Sequence, residues 1–252
     1  MLPIERRGEI LQKLMMDGKV VVSELAEAYE VTEETIRRDL EKLEADGHAK
    51  KTYGGAVLND NMTSDLPYIV RKQTNVSGKK YIAERIGELI NDSDSLLLDP
   101  STTALFTVKS IFNKHNLTIV TNSVAALLEL PQGHDWNVIS TGGLYRTEAM
   151  YYYGSAAEEV VRKYNVDYAI LSCKGLDMSK GVTDTRENVA DLKKNFLRSA
   201  KEVILAVDHT KFDHVSFVNI CGFDVIDTVV TDVEPSDAWK SFFAEKGIRL
   251  IY

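Results

Sequence analysis

The order of apolar and polar positions changes character about a quarter of the way along the chain. Near the N-terminus, apolar residues recur three or four positions apart, which is the spacing of one helix face. Farther on, short β-branched or leucine-rich runs alternate with helical stretches, a pattern typical of βαβ units and a mainly parallel sheet covered by helices. These runs are 95–99, 117–121, 136–140, 167–173, 202–208 and 228–232.

This change of pattern predicts two domains of different fold class. We expect a winged helix-turn-helix domain over residues 1–57 and a mostly parallel α/β domain over residues 76–252. Residues 58–75 lack sustained periodicity and contain several turn-forming residues, so they are predicted to be a linker.

Three helical stretches and a hairpin are predicted in the first domain. Ile36, Leu40 and Leu43 fall at i, i+4 and i+7 and would form one buried helix face. Thr32 precedes this stretch and is a residue type that caps helix N-termini. With the short helix before it, this stretch predicts a helix-turn-helix over about residues 20–43, and residues 48–55, which end in two glycines, predict a hairpin or wing.

The polar face of the third helix carries the side chains that would read DNA. A helix placed in the major groove contacts base edges, and Arg can donate twice to guanine or clamp a phosphate. Neighbouring Arg37 and Arg38 point about 100° apart on a helix, so we expect one to contact a base and the other a phosphate. The predicted DNA contacts, including backbone contacts from the first helix and the wing, are Arg6, Thr32, Thr35, Arg37, Arg38, Lys42, Lys50 and Lys51.

Composition restricts how this chain could bind nucleic acid. The 252 residues carry a net charge of -8, and the first 57 contain nine basic and twelve acidic residues. DNA binding must therefore depend on where the basic residues lie, because bulk charge gives it no support. No apolar run is long enough to span a bilayer, no secretory signal begins the chain, and Cys173 and Cys221 lack CxxC partners. We expect a cytoplasmic protein that contacts no membrane.

Several motifs resemble the DeoR family of bacterial transcriptional regulators. The stretch from Val31 to Glu44 and the string Tyr53-Gly-Gly-Ala resemble the family's winged helix-turn-helix, and Thr35-Ile-Arg-Arg-Asp-Leu40 is its most specific signature. Asp208-His-Thr-Lys211-Phe resembles the family's Asp-x-Ser-Lys-Phe. The resemblance extends to about residue 232. It implies a C-terminal domain similar to ribose-5-phosphate isomerase, with a ligand cleft at the C-terminal ends of the strands.

Small polar residues follow several predicted strands, where open parallel sheets bind ligands. Hydroxyls and backbone amides at the start of a helix can bind a phosphate, and lysines supply positive charge for it. Carboxylates accept hydrogen bonds from sugar hydroxyls. Singly, such Ser and Thr residues are more often only helix caps, and paired glycines are more often only turns. Ser101 replaces a family glycine, and Lys174 replaces a smaller residue found in many members, so ligand choice is open. The predicted effector contacts are Asp99, Ser101, Thr102, Thr103, Thr121, Asn122, Ser123, Gly142, Gly143, Lys174, Gly175, Asp184, Glu187 and Lys211.

Together these patterns predict a transcriptional regulator, a repressor of a sugar or carbohydrate catabolic operon. Its affinity for double-stranded operator DNA would fall when a phosphorylated sugar or related metabolite binds. Reading two half-sites requires a homo-oligomer, either a dimer or a tetramer. The alternative is a sugar-phosphate isomerase-like enzyme with Lys211, Asp184 and Glu187 as acid-base groups, but an isomerase has no need of the N-terminal domain. No catalytic residue, metal or cofactor is predicted, since the histidines show no recognised ligand spacing.

Overall fold

The first 74 residues form an N-terminal unit in which helices pack with a small antiparallel sheet. The computed structural model describes residues 2–59, 67–131 and 133–252. The helices of this unit are α1 (Pro3–Asp17), α2 (Val22–Ala28), α3 (Glu33–Ala45) and α4 (Tyr68–Gln73), and its strands are β1 (Lys19–Val21), β2 (Ala49–Thr52) and β3 (Gly55–Leu58). Strand β3 lies between β1 and β2 and is antiparallel to both.

Local sequence signals account for the helix-turn-helix formed by α2 and α3. Helix α1 ends where Gly18 adopts a φ of 72° and its amide bonds to the carbonyl of Leu14. The Thr32 hydroxyl caps α3 by accepting from the amide three residues ahead, at 3.2 Å. Ile36, Leu40 and the rest of the predicted apolar face are buried in the core of the unit. The predicted helix-turn-helix and its inward face are confirmed.

The segment predicted to be a linker is described in part. Residues 60–66 of it lie outside the described residues. Residue 58 ends β3, and residues 68–73 form α4, whose Val70 is buried in the same core as α1. The second unit begins at Asn75. The described part of this segment therefore belongs mainly to the N-terminal unit.

The C-terminal unit, residues 75–252, alternates strands with helices. Its strands are β4 (Ser95–Leu98), β5 (Thr118–Thr121), β6 (Asn137–Ser140), β7 (Leu144–Arg146), β8 (Tyr151–Tyr153), β9 (Val166–Leu171), β10 (Gly175–Asp177), β11 (Gly181–Asp184), β12 (Ala200–Ala206), β13 (Val218–Cys221), β14 (Thr228–Val230) and β15 (Arg249–Ile251). Its helices are α5 (Val76–Gly87), α6 (Thr102–Ser110), α7 (Val124–Glu129), α8 (Ser155–Val161), α9 (Glu187–Ser199) and α10 (Asp237–Glu245).

A parallel sheet in the order β15-β14-β12-β9-β4-β5-β6 forms the centre of this unit. All six predicted runs supply strands to it, which confirms the predicted fold class. The patterning missed edge strand β15, the hairpin β7–β8 and the antiparallel sheet β10-β11-β13. Within the described part of the chain, no helix is both long and apolar enough to cross a membrane.

The strand order reverses direction between β4 and β9. After β4 the chain continues to β5 and β6 on one side, whereas after β9 it continues to β12, β14 and β15 on the other side. The connections therefore leave these two neighbouring strands in opposite directions. In open α/β sheets, ligands bind at such a switch point beyond the carboxyl ends of the strands. Asp99 follows β4 and Ser172 follows β9, so both lie at this position.

Candidate functional site

Helix α3 presents four of the predicted DNA-contacting residues on its exposed surface. Thr32, Arg37, Arg38 and Lys42 are exposed, and Thr35 is half-buried. By helix geometry Arg38 lies roughly opposite the buried face, with Arg37 and Lys42 to either side. The three cations pair with acidic residues one helical turn away, at 2.6 Å for Arg37, 3.4 Å for Arg38 and 3.2 Å for Lys42. Exposed pairs of this kind contribute little to stability, so DNA phosphates or bases can replace them at small cost.

Arg6 occupies a different place from the one expected. Its side chain is 7% exposed, and Nε donates to Oδ2 of Asp39 at 2.6 Å. Arg7 also approaches Asp39, with 3.4 Å between Nη1 of Arg7 and Oδ1 of Asp39. The expectation that Arg6 contacts the DNA backbone is corrected: it is a buried partner of the recognition helix, because leaving Asp39 unpaired in the core would be costly.

The hairpin β2–β3 supplies further polar groups beside the helix-turn-helix. Lys50 is exposed, whereas Lys51 is half-buried and its Nζ bonds to Glu41 at 2.8 Å. Tyr53 at the tip of the hairpin is fully exposed. Gly54 turns the hairpin with a φ of 83°. A Cβ on Gly55 would lie 2.0 Å from the carbonyl oxygen of Val20, so this position requires glycine.

At the switch point of the large sheet, Asp99 joins the ends of the two central strands. Its Oδ1 accepts from the amide of Ser101 at 2.9 Å, and its Oδ2 accepts from the amide of Ser172 at 3.0 Å. The carboxylate is almost completely buried. Asp99 therefore holds the loop after β4 against the loop after β9.

A buried lysine that the sequence reasoning missed lies beside Asp99. Lys193 of α9 approaches Asp184 at 2.7 Å and Asp99 at 3.3 Å, and it donates to the carbonyl of Ser172 at 2.7 Å. Burial acts to lower the pKa of Lys193, but attraction to Asp184 and Asp99 outweighs it and raises that pKa. The available signal was a lysine on the apolar stripe of α9, three residues from both Ala190 and Phe196.

This cluster changes the role assigned to the two carboxylates. Asp99 has both oxygens engaged, and Asp184 accepts from Lys193 and from the amide of Thr185. The expectation that Asp99 and Asp184 bind sugar hydroxyls is therefore corrected, because both are committed to buried partners. Both carboxylates lie within ion-pair distance of the buried Lys193.

The small hydroxyl residues after β4 and β5 are held by local hydrogen bonds. Ser101 and Ser123 each cap a following helix by accepting from the amide three residues ahead, at 3.1 Å in both cases. Thr121 donates to the last carbonyl of β4 at 2.7 Å and accepts from the amide of Ser123 at 3.0 Å. Thr102 and Thr103 are buried in the first turn of α6. These hydrogen bonds fix the loops after β4 and β5 and the start of the helix that follows each loop.

Three predicted glycines are required by the backbone. Gly142 and Gly143 have φ values of 59° and 111°, and a Cβ on Gly143 would lie 2.7 Å from the carbonyl oxygen of Tyr153. A Cβ on Gly175 would lie 2.3 Å from the carbonyl oxygen of His214. A positive φ or a nearby backbone oxygen excludes a side chain at each position. This alone explains why glycine occurs there.

The predicted charged residues near the strand ends differ in exposure. Lys174 is half-buried, and Glu187 is exposed in the first turn of α9. Lys211 donates to the hydroxyl of Thr210 at 2.8 Å, and its Nζ lies 3.6 Å from Oδ1 of Asp208. Burial acts to raise the pKa of Asp208, but Lys211, the Thr210 hydroxyl and a further lysine outweigh it, so the pKa is lowered.

A small cavity opens near the ends of β4 and β5. It is lined by Pro100, Asn122, Tyr151, Tyr153, Asn188, Val189, Leu192, Lys193 and Phe196. Asn122 is 1% exposed, and its Nδ2 donates to the carbonyl of Tyr152 at 2.8 Å, which fixes the orientation of the amide. Its Oδ1 accepts no hydrogen bond from any described residue. A buried acceptor without a donor is costly, so this oxygen suits a donor group of a ligand.

Metal and thiol chemistry find no support among the residues that the structure describes. No three His, Cys, Asp or Glu side chains of these residues are grouped to hold a metal ion. Burial raises the pKa of both Cys173 and Cys221 to about 12, which leaves the thiols protonated and poorly nucleophilic at neutral pH.

A helix-turn-helix unit followed by a mainly parallel α/β unit is the architecture of a DNA-binding protein with a second, larger domain. Two family models match these units separately. The DeoR-like helix-turn-helix domain matches residues 6–62, and the DeoR C terminal sensor domain matches residues 74–233. The chain therefore belongs to the DeoR family and is a DNA-binding transcriptional regulator, as its sequence motifs indicated.

Two similar regulators agree with this assignment. An uncharacterized HTH-type transcriptional regulator, YulB of Bacillus subtilis (strain 168), is 37% identical over 99% of this chain and 96% of its own length. The glycerol-3-phosphate regulon repressor of Escherichia coli (strain K12) is 29% identical over 98% of this chain and 97% of its own. Ribose 5-phosphate isomerase A from Methanocaldococcus jannaschii matches 55% of each chain, with 15% identity and a TM-score of 0.40.

Proposed function

We propose that this regulator is a repressor of a carbohydrate catabolic operon and that a phosphorylated sugar or related metabolite relieves the repression. Helix α3 would enter the major groove of the operator, with Thr32, Thr35, Arg37, Arg38 and Lys42 at the contact and Lys50 and Lys51 on the backbone. The name of the E. coli relative, a glycerol-3-phosphate regulon repressor, supports a phosphorylated polyol or sugar as the class of effector.

The observation that carries the effector proposal is the unpartnered oxygen of Asn122. It is buried in a cavity whose other walls are largely aromatic and aliphatic. A sugar offers a hydroxyl donor to such an oxygen and C–H surface to aromatic rings, so its carbon skeleton fits this lining. Asn188 also lines this cavity and would bind a second hydroxyl.

The phosphate of the effector would lie toward the first turn of α6. Pro100 lines the cavity and α6 begins two residues later, so the N-terminal end of α6 is the nearest helix start for a phosphate in this proposal. Lys174 and Lys211 follow neighbouring strands and would supply positive charge. Ser101 narrows this loop relative to a glycine and is expected to favour a small effector.

Repression of a promoter by this chain would require at least a dimer. One helix-turn-helix contacts one half-site, and two half-sites a helical turn apart multiply the affinity without new contacts. The first 57 residues carry more acidic than basic side chains, so their non-specific affinity for DNA should be low. Tight binding would therefore need contact with a second half-site. Sedimentation velocity with and without operator DNA would distinguish a monomer, a dimer and a tetramer.

The decisive test combines ligand binding with DNA release. The purified protein is screened by thermal shift against glycerol 3-phosphate, fructose 6-phosphate, glucose 6-phosphate and N-acetylglucosamine 6-phosphate, and each compound is added to a protein–operator complex. We expect one of them to stabilise the protein and to release the DNA, and both effects to be lost in Asn122→Ala and Lys211→Ala. Asn137→Ala, on exposed strand β6, is the control and should respond normally. A compound that stabilises Asn122→Ala as strongly as the wild type would contradict the assigned cavity.

The sign of regulation needs a separate measurement. A reporter driven by the operator-bearing promoter should rise in expression when the regulator gene is deleted and fall when it is restored. The opposite change would show that the chain is an activator and would leave the ligand site unaffected.

A further inference from the structure

The carboxylate of Asp232 ties together two segments that are far apart in the sequence. The side-chain amide of Asn75 donates to its Oδ2 at 2.7 Å. The backbone amide of His209 donates to its Oδ1 at 2.7 Å, and the His209 Nδ1 lies 3.0 Å from Oδ2. The Asp232 side chain is only 4% exposed. Its two oxygens are therefore shared between the start of α5 and the loop after β12.

The local backbone is adapted to this contact. Asn75 has a φ of 47°, a left-handed conformation that Asn tolerates better than most residues, and its Oδ1 caps α5 by accepting from the amide of Gly78 at 3.3 Å. A Cβ on Gly78 would lie 2.2 Å from Oδ2 of Asp232. Any other residue at this position would push the Asp232 carboxylate away from the start of α5.

Asn75 also lies directly after the last residue of the N-terminal unit. Thr74, which ends that unit, bonds through both its amide and its hydroxyl to the carbonyl of Val70, at 3.0 and 2.8 Å. Val70 is buried in the core around α1. One peptide bond thus separates a residue fixed in the DNA-binding unit from a residue fixed by Asp232.

The other end of the contact is a loop to which the proposed function assigns an effector role. His209 begins the 3₁₀ turn His209–Lys211, and Lys211 supplies charge for the phosphate in that proposal. Asp208, just before His209, accepts from both the amide and the hydroxyl of Thr210, so the turn is a small rigid unit. A ligand that moves Lys211 would therefore move the His209 amide with it.

We propose that Asp232 is the coupling residue between the two units: it passes a displacement of the 208–211 turn to Asn75 and so to the DNA-binding unit. The effector end of this route rests on the proposed function, whereas the contact itself does not. Asp232 touches neither DNA nor effector in this scheme, so it is a positioning residue. Because coupling between two sites is reciprocal, DNA binding must in turn alter the 208–211 turn.

Reciprocity allows a test that needs no knowledge of the effector. A DNA duplex is selected from random-sequence DNA by binding to the full-length wild-type protein, and amide hydrogen exchange is followed in peptides covering residues 206–213, with and without that duplex. The variants are Asn75→Gly, which keeps the left-handed backbone but removes the side chain, and Asn75→Asp, which keeps the helix cap but opposes Asp232 with a second carboxylate. Asn116→Gly is the matched control, since Asn116 also has a positive φ, of 56°, and is exposed.

We expect DNA to change the exchange rate of the 206–213 peptides at least threefold in the wild type and in Asn116→Gly. The change should disappear in Asn75→Gly and Asn75→Asp while both variants still bind the duplex. A DNA effect that persists in both variants, or that is absent from the wild type, would overturn the proposal. A sugar phosphate that binds Asn75→Gly normally but no longer releases DNA would support it, whereas failure of every sugar phosphate to bind the wild type would contradict only the proposed function.

Discussion

Arg6 donates from Nε to Oδ2 of Asp39 across 2.6 Å, joining α1 to the recognition helix α3 inside the N-terminal unit. Asp39 belongs to the string Thr35–Leu40, which is the most specific sequence signature of the DeoR family in this chain. One member of that signature thus has an internal role, since it fixes the helix that carries Arg37 and Arg38. The orientation of the DNA-reading face depends on a buried ion pair as well as on apolar packing.

Breaking the Arg6–Asp39 pair should destabilise the N-terminal unit. Asp39→Leu leaves the charge of Arg6 buried without a partner and should cost about 3–5 kcal/mol. Arg6→Met should cost less, because Arg7 stays 3.4 Å from Asp39, and the double variant should cost less than the sum of the two. Urea unfolding followed by circular dichroism measures this. Arg162→Met, which removes an exposed pair with Glu158 on α8, is the control and should change stability by less than about 1 kcal/mol. Additive losses in the double variant would argue against a direct interaction.

The two neighbouring arginines of α3 should differ in how they affect DNA binding. Arg37→Ala should weaken operator binding by about 1–3 kcal/mol and relax the preference at one base pair. Arg38→Ala should weaken binding to all sequences alike. The number of counterions released on binding, read from the slope of log K against log salt concentration, should fall by about one. Binding titrations against operator and single-base variants at several salt concentrations separate these effects. Arg162→Ala matches Arg37 in exposure and pairing and should bind as the wild type does. Unchanged affinity and base preference in Arg37→Ala would remove its assigned role.

Loss of the buried lysine in the C-terminal unit should be severe. Lys193→Met would leave Asp99 and Asp184 close together without a cation and should cost about 3–5 kcal/mol at neutral pH. Lys194→Met, which removes the adjacent and more exposed lysine, is the matched control. Thermal unfolding of both variants beside the wild type provides the comparison. Equal melting temperatures for the two variants would contradict a structural role for Lys193.

The pH range of this contribution follows from the direction of the shift. The folded-state pKa of Lys193 is raised above its unfolded value of about 10.4, so its ion-pair stabilisation is fully present below that value. It is lost only as the pH rises through the higher pKa of the folded state. Between about pH 7 and pH 9 the protonation of Lys193 should therefore not alter wild-type stability. A loss over this range that disappears in Lys193→Met would contradict the inferred pKa.

Asp167 gives the opposite dependence on pH. Hydrogen bonds from the hydroxyl and the amide of Ser95, at 2.7 and 2.9 Å, lower the pKa of Asp167 and tie β9 to β4. A lowered pKa means that the stabilisation is present above the unfolded value of about 3.9 and is lost as the pH falls through the folded value. Asp167→Asn should therefore cost about 1–3 kcal/mol at neutral pH and progressively less in acid. Urea unfolding at about pH 7 and pH 3 measures the difference in stability between variant and wild type, with Asp191→Asn, half-buried on α9, as the control.

Much of the architecture was predictable because the signals for it are local. Helix periodicity, the Thr32 cap and the Gly18 stop identified the helix-turn-helix, and six apolar runs identified six strands of the parallel sheet. The edge strand β15 was missed because three residues are too few to show a period. The ligand cleft was predicted at the strand ends because the carboxyl ends of parallel strands meet at one edge of a sheet, and its location stays a prediction.

The tertiary structure alone decided what the charged and polar residues do. Arg6 resembled a DNA contact, and Asp99 and Asp184 resembled sugar ligands, until partners distant in the sequence were found to bury them. Lys193 was not predicted as a site residue for the same reason, since its partners Asp99 and Asp184 lie elsewhere in the sequence. Whether a charge faces solvent or a buried counter-charge depends on which segments the fold brings together, and no local pattern contains that information.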